Sequence, residues 1–408
     1  MLNVQAIRTQ FPGLHQKVHG KPLIYLDNAA TTQKPQVVLD SLIHHYTYES
    51  ANVHRGMHTL AERATLALEA TRSYIQQYIN AKSTSEIIFT SGVTASINLV
   101  AATYGEKHIA SGDEILISNM EHHANILPWQ RLSHKKRALL KVIPVNDQGE
   151  LCMDQLTTLL TPKTKIVAIN YVSNTLGTIN PLKKIIQQAH IYGAVVVVDG
   201  AQAIPHFVVN MQELDCDFFT FSAHKAYGPT GVGILFGKQE LLADMPPYQV
   251  GGGMVSQVTE QNAAYNDLPY KFEAGTPPIA SIVAWRSALA MIRHIGYEKL
   301  QNHEQTLLTH ATTLLTQIPE VCILGTAKHK IGIISFTIAN MHPTDVGILL
   351  DVQGIAVRTG HSCTQPLTHF FGVEGVIRAS LAMYNTLEEI ELFVRAVKNV
   401  IIKRNHRS

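Results

Sequence analysis

Seven short runs of Val, Ile, Leu and Phe, each five to seven residues long, recur between stretches that carry apolar residues at helical spacing. They are EIIFT (86–90), EILIS (114–118), KVIPV (141–145), KIVAINY (165–171), AVVVV (194–198), DFFTF (217–221) and GVGILF (231–236). Near-continuous apolar content marks strands covered on both faces. The stretches 94–104 and 182–192 have the spacing of covering helices. Strand and helix in alternation predict an α/β fold around a mostly parallel seven-stranded sheet. Ligands of such sheets sit beyond the carboxyl ends of the strands, so the residues just after each run are the first candidates for chemistry.

From 278 to 294 the spacing becomes that of one long helix. Beyond it, strand 331–338, helix 344–353, strand 355–358, strand 376–381 and a closing helix read as a smaller α+β unit. The closing helix starts at Thr386 and Glu389, which have capping-box spacing, and Leu387, Ile390, Phe393 or Val394, Val397 and Ile401 form its apolar stripe. The expected division is an N-terminal segment, 1–19, packing near the small unit, a large domain, 20–278, and a small C-terminal domain, 279–408. With 46% hydrophobic and 16% charged residues the chain suits a large core, not disorder. Lys plus Arg number 33 against 31 Asp plus Glu, spread evenly, which excludes the basic footprint of a nucleic-acid binder and favours a small polar substrate. The N-terminal stretch lacks an export-signal pattern, and no apolar run approaches the roughly 20 residues of a membrane span. A soluble, cytoplasmic protein is expected. The four cysteines, at 152, 216, 322 and 363, have no metal-site or redox spacing and are too few to staple the fold, as in a reducing compartment.

AVVVV is followed by Asp199, Gly, Ala and Gln202. A buried carboxylate needs a partner, and a helix N-terminus, a lysine or a cationic ring nitrogen such as that of pyridoxal phosphate would each serve. DFFTF is followed by Ser222, Ala, His224 and Lys225, then a Gly-rich turn. The hydroxyl and imidazole suit a phosphate, and a partly desolvated lysine can form a Schiff base with an aldehyde cofactor. EIIFT is followed by Ser91, Gly92, Val93 and Thr94, which open a helix whose amides suit the same phosphate. After EILIS come His122 and His123, one placed to stack on a planar ring. Adjacent histidines do not readily face one ion and no HExxH-type helix is present, so no metal is expected. Cys363 follows Arg358 and His361, groups that favour the nucleophilic thiolate. Cys152, Cys216 and Cys322 lie in apolar, element-like surroundings and are assigned to packing.

Nine strings occur in register: YLDNAATTQKP (25–35), HRGMHTL (54–60), MEHHANILPWQ (120–130), VSNTLGTINP (172–181), VDGAQA (198–203), FSAHKAYGPTGVGIL (221–235), FEAGTP (272–277), VRTGHSC (357–363) and IRASLAMYNT (377–386). Together they resemble the group II cysteine desulfurases of SufS/CsdA type, in the class V aminotransferase family. The resemblance implies the fold type I of pyridoxal-phosphate-dependent transferases and a homodimer. By it, Lys225 holds the cofactor and moves the substrate Cα proton, Asp199 pairs with the ring nitrogen, His122 stacks on the ring and Gln202 bonds the ring oxygen. Asn174 contacts cofactor or substrate. Thr94, Ser222 and His224 hold the phosphate, with Thr276 reaching it in the partner subunit. Arg378 pairs with the substrate carboxylate, Arg358 supports substrate or the cysteine loop, and the main chain at Ala29 and Ala30 lines the pocket. Cys363 is the implied nucleophile, converting L-cysteine to L-alanine and passing a persulfide to a SufE/CsdE-type acceptor for iron-sulfur cluster assembly. The same apparatus would process L-selenocysteine, so a selenocysteine lyase is the alternative, followed by other class V enzymes that need no loop nucleophile. The loop HSCTQP departs from the HHCAMP-like form, which bears on rate and acceptor choice.

Overall fold

The computed structural model describes residues 2–405. All seven apolar runs become strands of one sheet: β1 (Ile87–Thr90), β2 (Glu114–Ser118), β3 (Leu139–Ile143), β4 (Thr164–Asn170), β5 (Val195–Asp199), β6 (Phe218–Ser222) and β7 (Gly233–Gly237). Their order is β1-β7-β6-β5-β4-β2-β3. β7 is antiparallel to β1 and to β6, and every other pair is parallel. The link from β6 to β7, residues 223–232, is shorter than the crossover of a dozen or more residues that a parallel neighbour needs. β3 lies two residues earlier than the expected 141–145, because Pro144 has no N–H to donate and ends the ladder. Alternate residues of β5 feed separate cores, Val196 and Val198 on one face and Val197 on the other.

Helices α1 (Gln36–Tyr48) and α2 (Thr59–Tyr78) precede the sheet, and α3 (Val93–Val100) leaves β1. The long helix α4 (Ile279–Ile295) packs on α1 and α2, buries Trp285 and Leu289, and ends at Gly296, whose φ of 89° few other residues tolerate. The chain re-enters a helix at once as α5 (Tyr297–Thr316).

A second sheet follows: β8 (Val321–Leu324), β9 (Ile333–Ile338), β10 (Arg358–Gly360) and β11 (Val376–Ser380), antiparallel in the order β8-β9-β11-β10. It packs with α5, α6 (Pro343–Asp351) and α7 (Leu387–Asn405) around Leu307, Phe336, Ile377 and Phe393. At the start of α7, the Glu389 amide donates to Thr386 Oγ1 at 3.2 Å and the Thr386 amide donates to Glu389 Oε2 at 3.1 Å, so the expected capping box forms. The expected strand 355–358 is divided. Ile355–Ala356 pairs in parallel with Ile24–Tyr25, whereas Arg358 belongs to β10. Helix α5 and strand β8 are additions to the expected elements. The assignment of Cys322 to packing is corrected: β8 is an edge strand and Cys322 is exposed on it, while Cys216 is buried and Cys152 half-buried. Ile24 and Leu26 join the core of the second sheet, and Arg8 bonds the Tyr384 carbonyl at 2.6 Å and Glu389 at 2.8 Å. The Ser380 amide donates to the Leu26 carbonyl at 2.7 Å, which sets residues 27–30 between the two sheets. Among the described residues, no helix is long and apolar enough to cross a membrane.

Candidate active site

The carboxyl ends of β1, β4, β5 and β6 and the loop after β2 open on one cavity of about 540 Å³, which β10, β11 and residues 29–30 close from the other side. Every candidate residue except Thr276 lines it.

Asp199 ends β5, and its Oδ1 accepts the Ala201 amide at 2.9 Å. Burial raises its carboxyl above the ordinary range, and the Lys225 ammonium pulls it back. Burial lowers Lys225, against the pull of Asp199. Among the described residues neither makes an ion pair within 4.0 Å, although each acts on the other's charge and both line the cavity. A carboxylate and an amine left without ion-pair partners in one cavity suit a group with a cationic edge and an electrophilic carbon. Two neutral imidazoles flank the lysine. His122 Nδ1 accepts the Ala124 amide at 3.0 Å, and burial followed by Lys225 holds its ring down to about 3. Burial and the same lysine hold His224 down to about 4.

Ser222 Oγ accepts the Val93 amide at 2.9 Å and ties β6 to the start of α3. First-turn amides lack intrahelical acceptors, so this end of α3 offers donors to an anion. The approach is tight: a Cβ on Gly233 would lie 2.5 Å from Gly92 Cα.

Arg378, on β11, is 3% exposed. Its Nη1 donates to the Asn174 carbonyl at 2.9 Å and its Nη2 to Asp27 Oδ1 at 3.3 Å. Arg378 Nε and Asn174 Oδ1 are buried without a partner. Such atoms are rare in native interiors, and an unmet donor and acceptor in residues lining one cavity fit a ligand bearing both a carboxylate and an N–H group. Arg358 stands directly opposite Arg378 in the β10–β11 register, a repulsive arrangement that Asp27 relieves by accepting Arg358 Nη2 at 2.8 Å as well. The role of Asp27 is not visible in the sequence. Its signal, one acidic residue just after a two-residue strand, is too common to single out.

Cys363 is exposed and lines the same cavity. Ser362 and Cys363 have φ of 51° and 57°, a left-handed pair that side chains disfavour. The Cys363 amide donates to His361 Nδ1 at 3.1 Å, the His123 amide to the Cys363 carbonyl at 2.8 Å, and Asn174 Nδ2 to the Ser362 carbonyl at 2.9 Å. His123 Nε2 accepts the Gln365 amide at 3.2 Å, and its ring lies 5.6 Å from that of His361. Of the His122–His123 pair, one ring therefore lines the cavity floor while the other braces the cysteine loop. The second role was not readable in advance, because 242 residues separate His123 from Gln365.

Gln202 donates to the Ala29 carbonyl at 2.8 Å. Thr276 is exposed in a separate groove of about 240 Å³, beside Arg55, Gly253 and Tyr270.

The aminotransferase class-V family model matches residues 24–393. A cysteine desulfurase of Synechococcus elongatus is 48% identical over 98% of this chain, which spans 64% of that relative's length. The chain likewise spans 66% and 58% of two mycobacterial relatives. A cysteine desulfurase of Dickeya dadantii is 46% identical over 97% of this chain and 96% of its own length. The crystal structure of the cysteine desulfurase CsdA from Escherichia coli aligns with a TM-score of 0.91 at 37% identity, covering 98% of this chain and 99% of that one. The chain belongs to the class-V aminotransferase family, in its cysteine desulfurase group.

Proposed function

We propose that the protein is a pyridoxal-phosphate-dependent cysteine desulfurase. In this reading L-cysteine yields L-alanine, and its sulfur is held on Cys363 before passing to an acceptor thiol. One observation carries the reading: a single cavity is lined by a lysine of lowered basicity, a buried guanidinium with an unmet donor and an exposed cysteine.

Pyridoxal phosphate, when bound, supplies an electron sink that weakens the bonds around the substrate Cα. Lys225 Nζ would hold its aldehyde, and as an amine whose pKa burial has lowered it is suited to take and return the Cα proton. Asp199 would face the ring nitrogen and keep it protonated, neutral His122 would lie against the ring, and Gln202 would offer its second amide hydrogen to the ring oxygen. Thr94, Ser222, His224 and the first turn of α3 hold the phosphate. Arg378 and Asn174 take the substrate carboxylate and amine, while Arg358, tied to Asp27, flanks the cysteine loop. The Cys363 thiolate attacks the substrate sulfur. A sulfur–sulfur bond forms as the Cβ–S bond breaks, and its electron pair stays on the substrate carbon, which is protonated to give alanine.

Two further parts belong to the same reading. Thr276, outside the cavity of its own chain, serves the phosphate site of a second copy in a homodimer. The exposed apolar residues Ile43, Tyr46, Met57 and Leu66 on and beside α1 and α2 support such an interface. A SufE/CsdE-type protein is the acceptor, and iron-sulfur cluster assembly the use of the sulfur. The test is alanine release from the holoprotein given L-cysteine or L-selenocysteine, with and without a SufE-type acceptor. The reading expects alanine from cysteine, stimulated by the acceptor and abolished in Lys225→Ala. Alanine from selenocysteine alone would replace it with a selenocysteine lyase.

A further inference from the structure

The His224 carbonyl, one bond from Lys225, is unusually crowded with donors. The Thr32 amide lies 3.0 Å from it, Thr31 Oγ1 3.1 Å, Thr32 Oγ1 3.1 Å and Lys34 Nζ 2.9 Å. A carbonyl oxygen has two lone pairs, and ordinary backbone structure fills one of them. Four donors from one four-residue segment make a built cradle. Lys34 is its costly member. Its ammonium is held only by oxygens without formal charge, the Thr32 carbonyl at 2.6 Å, the His224 carbonyl and Thr31 Oγ1 at 3.3 Å, and burial lowers its pKa to about 7 with no carboxylate acting against it. A half-buried cation without a counter-ion is a net liability to folding.

What it touches gives it a use. The turn that carries Lys225 is strained, since Tyr227 has a φ of 59°, and its amide is caught by Thr32 Oγ1 at 3.0 Å. Lys34 does not line the cavity; its charge reaches the site from behind, where it helps hold His224 neutral. We propose that Lys34 is a positioning residue, which with Thr31 and Thr32 clamps the His224 carbonyl and so fixes the peptide plane from which Lys225 projects. The inference rests on the reading of Lys225 as the cofactor-bearing base.

The test is Lys34→Met, made as holoprotein. Melting temperature, kinetics with L-cysteine and the pH midpoint of the visible band of lysine-bound pyridoxal phosphate are compared with wild type. The melting temperature is expected to hold or rise, because an uncompensated charge is removed. kcat is expected to fall about tenfold with KM nearly unchanged, as misplacement of a catalytic group by a fraction of an ångström predicts. The band midpoint is expected to move from the wild-type value, since shifting the peptide plane that carries Lys225 changes its distance from Asp199, whose charge acts on it. Thr31→Val removes a second donor to the same carbonyl without changing charge, and its effect on kcat should be less than additive with that of Lys34→Met. A folded Lys34→Met protein with wild-type kcat and band midpoint overturns the proposal, as does strict additivity. Should Lys34→Met not fold, an unchanged kcat in Thr31→Val overturns it. A wild-type holoprotein that shows the band but makes no alanine defeats the desulfurase reading alone, and the midpoint shift still decides the role of Lys34.

Discussion

Replacing Arg378 with lysine separates charge from geometry at the substrate site. The guanidinium is fixed on two sides, by the Asn174 carbonyl and Asp27, and keeps Nε unmet. Lysine retains the charge but not the planar fork, so at least one charge-assisted hydrogen bond to a carboxylate is lost, worth about 1.5–3 kcal/mol. At about 1.4 kcal/mol per factor of ten, that is a loss of about 10- to 150-fold. The carboxylate keeps its charge as the Cβ–S bond breaks, so the loss is shared by ground and transition states. KM for L-cysteine should therefore rise by that factor, kcat/KM should fall with it, and kcat should stay within about threefold. Asp27 keeps Arg358 at 2.8 Å, so the fold loses at most the two bonds from Arg378 to the Asn174 carbonyl and to Asp27, about 2 kcal/mol, and the melting temperature should fall by no more than about 4–8 °C. Alanine formation over a range of cysteine concentrations, with a melting curve, decides the matter. An unchanged KM, or a loss confined to kcat, would refute the assignment of Arg378 to the carboxylate.

Glu121 is buried between Ser118 and Asn125, and burial raises its carboxyl to about 8 from an ordinary 4.5, so its contribution to stability is complete below 4.5 and lost as pH rises through about 8. Glu121→Gln should flatten the fall in melting temperature across that window and exceed wild type above pH 8; parallel curves would contradict this. Glu273→Ala should cost about 3 kcal/mol in denaturant unfolding, because it removes the two-point partner of Arg72, 1% exposed and bound to Glu273 at 2.7 and 2.8 Å, and leaves that charge to the half-buried Glu69 alone; a cost below about 1 kcal/mol would show that Glu69 suffices. A thiol-alkylating reagent should label Cys322 and Cys363 in the native protein and reach Cys216, whose thiol burial pushes far up, only after unfolding. Native labelling of Cys216 would contradict its packing.

What could be read in advance follows from which forces are local. The seven runs declared themselves because a strand buried on both faces must be apolar at every position, as β5 is. Edge strands carry no such mark. VCIL reads as core, yet strand order alone sets β8 at a sheet margin with Cys322 outward. Motif strings led to Lys225, Asp199 and Arg378, which sit at strand ends or within one strand. Asp27, His123 and Lys34 escaped, because each acts on a group far away in sequence: Asp27 between two arginines of β10 and β11, His123 on the cysteine loop, Lys34 on the His224 carbonyl. A contact made by tertiary closure leaves no periodicity to find.

In the proposed reaction Cys363 receives the sulfur. Holoprotein given L-cysteine without an acceptor, then digested under non-reducing conditions and weighed peptide by peptide, tests it directly. One sulfur is expected to be gained on the peptide containing Cys363 and on none containing Cys152, Cys216 or Cys322, with both that gain and alanine formation lost in Cys363→Ser. Alanine and free sulfide released at an undiminished rate by Cys363→Ser would contradict it.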